Sequence, residues 1–165
     1  LHEHGGVPLS SEEIIEHLLD GVSVQVQAHV PWRPGAVELL HGLVELGVPT
    51  ALVTMSFRRL SDIVVQALPP GSFPVQVTGD QVSRGKPHPD PYLLAAERLG
   101  VEPGDCVAIE DSPAGIASAR AAGVPVIGVE HLVQLRPHTT GPVLHTLEGV
   151  SPYALLPILA AQTPA

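Results

Sequence analysis

Apolar residues recur along this chain with two different periods, and the change of period divides it. From Ser10 onward, Ile14, Ile15, Leu18, Leu19 and Val22 fall at helical spacing. Ser10 or Ser11 can cap such a helix, with Glu13 placed to reinforce the cap. Val24, Val26 and Val30 alternate with polar residues, and β-branched valine is a poor helix former, so a strand competes there. We expect helix to about His29. Pro31-Trp32-Arg33-Pro34-Gly35 is a stiff break, with Trp32 as a packing residue at a junction.

Beyond Gly35, short apolar runs alternate with amphipathic ones. The pattern predicts helix over 36–46, stopped by Gly47, then strand over 49–54 and helix over 58–68, closed by Pro69-Pro70-Gly71. Strand over 73–78, helix over 90–99, strand over 106–110 and helix over 113–122 follow. Strand over 125–129, a short strand over 143–147 and a helix over 152–161 complete the series. Strands apolar on both faces, alternating with helices, predict an α/β fold whose parallel sheet is covered on both sides. Ligands of such folds bind beyond the carboxyl ends of the strands. The polar residues at those ends are therefore the candidates.

Composition narrows the options. With 44% hydrophobic and 15% charged residues in 165, the chain is globular. The net charge of -9, without any Lys/Arg-rich stretch, argues against nucleic acid and anionic membranes as partners. A small phosphate needs only one or two placed cations and some N–H groups. The single cysteine, Cys106, excludes an internal disulfide and reads as a core residue in a strand. No apolar run approaches the ~20 residues that cross a bilayer, and no signal-peptide pattern opens the chain. A cytoplasmic protein is expected.

Three strand ends carry candidate chemistry. The first is Thr54-Met55-Ser56, where a hydroxyl and the following amides could bind phosphate ahead of a helix. Ser56 could equally cap that helix. The second is Gly85-Lys86-Pro87-His88-Pro89-Asp90, which holds an ammonium on a restricted backbone. Asp90 is the expected cap of the next helix, with Pro91 at its first position. His88 is polar and near the site but has no His or Cys at metal-ligand spacing. The third is Glu110-Asp111-Ser112-Pro113-Ala114-Gly115. Two adjacent carboxylates at an apolar strand end are costly unless a cation joins them, and oxygen donors suit Mg²⁺. A helix cap explains Asp111 or Ser112 and leaves Glu110 unexplained.

In this order and spacing, the three segments resemble the second, third and fourth motifs of the haloacid dehalogenase superfamily, nearest its beta-phosphoglucomutase-like branch. The similarity runs from about Pro34 to Val129. It implies a Rossmann-like core, with Thr54 binding the phosphoryl group and Met55 and Ser56 nearby. It implies that Lys86 bridges the phosphoryl group and an attacking carboxylate, and that Glu110 and Asp111 hold Mg²⁺. The substrate would be a small phosphorylated metabolite. The family's first motif, Asp-x-Asp, supplies the nucleophile at the end of a central first strand, and no Asp-x-Asp occurs in this chain. The resemblance therefore implies residues 1–30 as a remnant of a helical cap, 31–35 as a linker and 36–165 as a core lacking its first strand. The strands ending at Thr54 and Glu110 would then expose apolar edges, open to a strand-completing partner or to self-association.

Two functions are weighed. One is a phosphomonoester phosphatase or phosphosugar mutase in complete form, with this chain inactive for want of the nucleophile. The other is a non-catalytic phosphate-binding or assembly module. A nucleotide-dependent dehydrogenase is disfavoured, since neither Gly-x-Gly-x-x-Gly nor a phosphate-loop pattern is present. A dehalogenase fits the paired acids less well.

Overall fold

A computed structural model of the chain describes residues 8–155. Helix α1 spans Ser11–Ala28. Ser10 caps it: its hydroxyl accepts from the Glu13 N–H at 3.2 Å, and the Glu13 carboxylate accepts from the Ser10 N–H at 2.7 Å. Val24 and Val26 continue the helix, and the chain turns extended only at His29. Gly35, left-handed at φ 79°, begins α2, Ala36–Glu45. A side chain at Gly35 would collide with the backbone of Leu147, so only glycine fits there.

The alternation then runs as expected, with shorter strands: β1 Ala51–Val53, α3 Arg58–Gln66, β2 Val75–Val77, α4 Asp90–Leu99, β3 Ala108–Glu110, α5 Pro113–Ala121, β4 Val126–Val129 and β5 Val143–Leu144. Residues 152–155 are helical, and the remainder of the helix expected over 152–161 lies outside the described residues. Residues 1–7 of the expected cap remnant lie outside them as well. Among the described residues, no helix is long and apolar enough to cross a membrane. Helix α1 packs on α3, where Arg59 pairs with Glu16 at 3.4 Å and with Asp20. These groups are all half exposed or more, so the pairs add little stability.

Three local expectations are corrected. Cys106 is half-buried and precedes β3, following a tight turn over Pro103–Asp105; burial, then the Asp105 charge, pushes its thiol up. Asp90 is not a cap. Pro89 takes that position, and the Asp90 carboxylate reaches back to His88 at 2.9 Å and Arg84 at 3.1 Å. Ser56 does not cap α3 either. Phe57 stands at the cap, and the Asp80 carboxylate, remote in sequence, accepts from the Arg58 N–H at 3.1 Å.

All strand pairs are parallel, in two groups: β1 with β2, and β3 with β4 and β5. Successive strand residues point to opposite faces. Ala108 and Val126 join Ile116, Ala119 and Tyr92 in one apolar cluster, while Ile109 and Ile127 join Leu39 and Leu147 in another. Both faces are thereby covered, by α4 and α5 on one side and α2 on the other.

The ladders use alternate peptide groups. The Thr54 N–H donates to the Val77 carbonyl at 2.9 Å, and the Ala108 N–H to the Pro125 carbonyl at 2.8 Å. In a parallel ladder, alternate residues face opposite neighbours. Leu52 and Thr54 thus turn their peptide groups to β2, and Ala108 and Glu110 turn theirs to β4. Ala51, Val53, Val107 and Ile109 turn theirs the other way. The two edges so formed line opposite sides of one apolar cavity of about 470 Å³.

Candidate active site

The carboxyl ends of β1 and β3 are joined by one side chain. Lys86 leaves its loop and its Nζ donates to the Val53 carbonyl at 3.0 Å and to Glu110 Oε1. The Lys86 side chain is 11% exposed and that of Glu110 only 5%, so the pair is nearly out of water. A buried carboxylate is tolerable only when paired and hydrogen-bonded. Glu110 meets that condition fully. The Tyr92 hydroxyl donates to Oε1 as well, and the Ser112 hydroxyl lies 3.2 Å from Oε2. The Lys86 ammonium also lies 5.1 Å from the centre of the Tyr92 ring, a cation–π distance.

Helix α5 supplies the floor. Ser112 caps it, accepting from the Gly115 N–H at 3.0 Å, with Pro113 as the first helical residue. Gly115 is buried directly under the Glu110 carboxylate, where a Cβ would overlap it. Asp111 is exposed on the same rim and has no ion pair or hydrogen bond among the described side chains. Thr54 is half-buried at the end of β1, and its hydroxyl oxygen accepts from the Ser56 N–H at 3.1 Å. Met55 is exposed, with its sulfur 3.3 Å from the Lys86 amide.

The structure thus brings Thr54, Met55, Ser56, Lys86, Glu110 and Asp111 to one rim. His88 is turned away into its pair with Asp90. Tyr92 was missed by sequence reasoning, because on the inner face of α4 a tyrosine looks like any other core residue. Its position six residues after Lys86 is the one signal that could have found it.

Burial, followed by the neighbouring Glu110 charge, pushes the Tyr92 phenol far above its ordinary value. The folded chain keeps a proton that the unfolded chain releases near pH ~10. This contribution is complete below that pH and is lost as pH climbs above it. Denaturant midpoints measured across this range should fall more steeply for the wild type than for Tyr92→Phe. At neutral pH Tyr92→Phe should cost about 1.5–3 kcal/mol, the worth of a hydrogen bond to a charged group.

Parallel strands whose carboxyl ends gather hydroxyls, a nearly buried ammonium and two carboxylates define an α/β protein with a polar cluster at one rim. The family follows from comparison. The model of the haloacid dehalogenase-like hydrolases matches residues 5–123, and the chain belongs to that family. Over 122 residues it is 42% identical to hexitol phosphatase A of Escherichia coli K12, covering 72% of this chain and 55% of that protein. Over 124 residues it is 37% identical to the validoxylamine A 7'-phosphate phosphatase of Streptomyces hygroscopicus subsp. limoneus, covering 68% and 57%. The chain therefore spans little more than half the length of these relatives. The crystal structure of CbbY from Rhodobacter sphaeroides in complex with phosphate superposes with a TM-score of 0.80 at 27% identity. That match covers 90% of this chain and 70% of the other.

Proposed function

We propose that these residues form the phosphate- and metal-handling half of a magnesium-dependent phosphoryl-transfer enzyme, a phosphomonoesterase or phosphosugar mutase acting on a small phosphorylated metabolite. The observation that carries this reading is the Lys86 ammonium bonded to the end of β1 and to Glu110 at the end of β3. An ammonium has three N–H donors. Two are engaged within the protein, and the third is left for a phosphoryl oxygen. The Thr54 oxygen accepts from Ser56, which orients its O–H as a second donor. Both groups are held before substrate arrives, so they stabilise charge on the transferring group without reorganising.

The carboxylates fit Mg²⁺ as a partial donor set. Mg²⁺ takes oxygen ligands, commonly through one or two carboxylates, and keeps several waters. Asp111 offers an open carboxylate, whereas Glu110 is already neutralised by Lys86 and would act beside it. Among the described residues no three His, Cys, Asp or Glu converge as a metal group, so further ligands would be water, substrate or residues outside 8–155. When bound, the ion would neutralise charge on the phosphoryl oxygens. The division into a cap portion over 1–30, a linker over 31–35 and a core over 36–165 belongs to this proposal. So does the need for an Asp nucleophile from outside these residues.

The test is hydrolysis of p-nitrophenyl phosphate with Mg²⁺, by this chain and by a form extended upstream from its gene. We expect turnover in the extended form, abolished by EDTA, and little in the 165-residue chain. Saturable phosphate binding without turnover in either form would favour the non-catalytic module.

A further inference from the structure

The chain has one methionine, and it stands on the rim between Thr54 and Ser56. The side chain of Met55 lies back across the loop that carries Lys86. Its sulfur accepts from the Lys86 N–H at 3.3 Å and rests against Gly85, where a Cβ would come within 2.7 Å of it. The residue is nevertheless 37% exposed, so dissolved reagents reach it. A thioether is a soft packing group and a weak acceptor. Oxidised to a sulfoxide, it becomes polar and chiral. The main chain of Met55 is held from the other side. The Thr54 N–H donates to Val77 at 2.9 Å and the Gly79 N–H to Ser56 at 3.0 Å. Gly79 also abuts the Met55 carbonyl, where a Cβ would stand 2.4 Å from the oxygen. A change at the sulfur therefore acts on Gly85 and Lys86 rather than on the end of β1.

We propose that Met55 is a sulfoxidation site for hydroperoxides, and that its oxidation releases the loop carrying Lys86 from the end of β1. A sulfur lone pair attacks one peroxide oxygen, so that an S–O bond forms as the O–O bond breaks. The proton of the attacked oxygen passes to the departing hydroxide or alkoxide. The sulfur is oxidised by two electrons, and the peroxide is reduced to water or an alcohol. An oxygen accepts an amide N–H at about 2.9 Å, so an S–O bond cannot be inserted while sulfur and nitrogen stay 3.3 Å apart. Either the loop backs away or the sulfoxide swings out to water. In both cases the sulfur leaves Gly85 and the Lys86 N–H. The Lys86 ammonium stays tied to Val53 and Glu110, so the base of the arm shifts and not its tip. Sulfoxide reductases restore the thioether, which makes the change reversible. The structural step stands without the phosphoryl-transfer reading, and its effect on turnover rests on that reading.

The other sulfur in the sequence is Cys106. Burial, then the Asp105 charge, pushes its thiol up and keeps it little ionised, and Cys106→Ser removes it. Hydrogen peroxide is added to the isotope-labelled Cys106→Ser chain, and peptide mass mapping should place one oxygen on Met55. The Gly85 and Lys86 amide signals should then shift. Exchange of the Lys86 amide should quicken by about threefold or more as it loses its acceptor. Ala108, paired between β3 and β4, should change least. Reductases specific for the two sulfoxide epimers should return every signal to its starting place. In the extended protein, peroxide should lower kcat/KM by about 10- to 100-fold, the scale of a ~1 Å misplacement, and the reductases should restore it. Treated and untreated samples of extended Met55→Leu should have equal kcat/KM.

An oxygen on Met55 that leaves the Gly85 and Lys86 signals unmoved would overturn the proposal, making Met55 merely an exposed methionine. So would a Met55 that stays reduced at peroxide concentrations that oxidise N-acetylmethionine. An equal loss of kcat/KM in treated Met55→Leu would place the damage elsewhere and overturn it too. If the untreated extended protein shows no turnover, the phosphoryl-transfer reading fails by itself, and the Gly85 and Lys86 signals still decide the sulfoxidation.

Discussion

Lys86→Met in the extended protein should lower kcat/KM by about 100- to 1000-fold, the scale of removing one preorganised charge-stabilising group. It should also destabilise the fold by about 3–5 kcal/mol, because it leaves Glu110 as an unpaired buried charge. Methionine matches the length of the lysine stem, so packing is nearly conserved and the loss is electrostatic. Adding Glu110→Gln separates the two effects. The double variant has no buried charge to strand, so most of the stability should return while the activity stays lost. Denaturant midpoints and steady-state rates on the two variants decide the matter. Recovery of both together would mean that Lys86 serves only to neutralise Glu110. His88→Ala is the comparison nearby. Its pairing with Asp90 is partly exposed, so stability should change by no more than ~1 kcal/mol. Its activity should fall far less than that of Lys86→Met.

How much of this was legible in advance follows from the range over which each signal acts. The cap of α1 was readable because Ser10 and Glu13 are three residues apart and complete each other locally. The parallel order was readable because β3 and β4 are apolar on both faces. The rim was readable only through the order of three motifs, since Thr54, Lys86 and Glu110 are far apart in sequence. What escaped depended on contacts between distant segments. Asp80 caps α3 from 22 residues away, so the nearer Ser56 looked like the cap. The strand expected over 73–78 shrank to Val75–Val77, because a run of apolar residues shows where a strand lies and not where its partner ends. Tyr92 resembled core until Glu110 was seen against its hydroxyl. Glu110 was read as a metal ligand, and the structure adds what the sequence did not reveal, that three side chains already hold it.

Two helical glycines should respond to alanine in opposite directions. Propensity alone predicts a gain for either, about 0.8–1 kcal/mol at a helix-interior position such as Gly21 and less in the first turn of α5, where Gly115 lies. At Gly21, in α1, a new Cβ meets nothing within 4 Å, so Gly21→Ala should deliver most of that gain. At Gly115 the same methyl occupies the space of the Glu110 carboxylate. Either the carboxylate moves, pulling on Lys86, Tyr92 and Ser112 together, or α5 moves away from β3. Overpacking of this kind costs about 1–3 kcal/mol, enough to reverse the sign of the propensity term. In the extended protein Gly115→Ala should also lower kcat by about 100-fold, as a ~1 Å displacement of a positioned group does. Gly21→Ala should leave turnover unchanged. Paired denaturation curves and rates therefore test one physical statement, that the Glu-Asp-Ser-x-x-Gly spacing exists because a buried carboxylate needs a residue without a side chain beneath it. A Gly115→Ala protein as stable and as active as the wild type would show that Glu110 has room to move, and that its position is not what holds Lys86 at the rim.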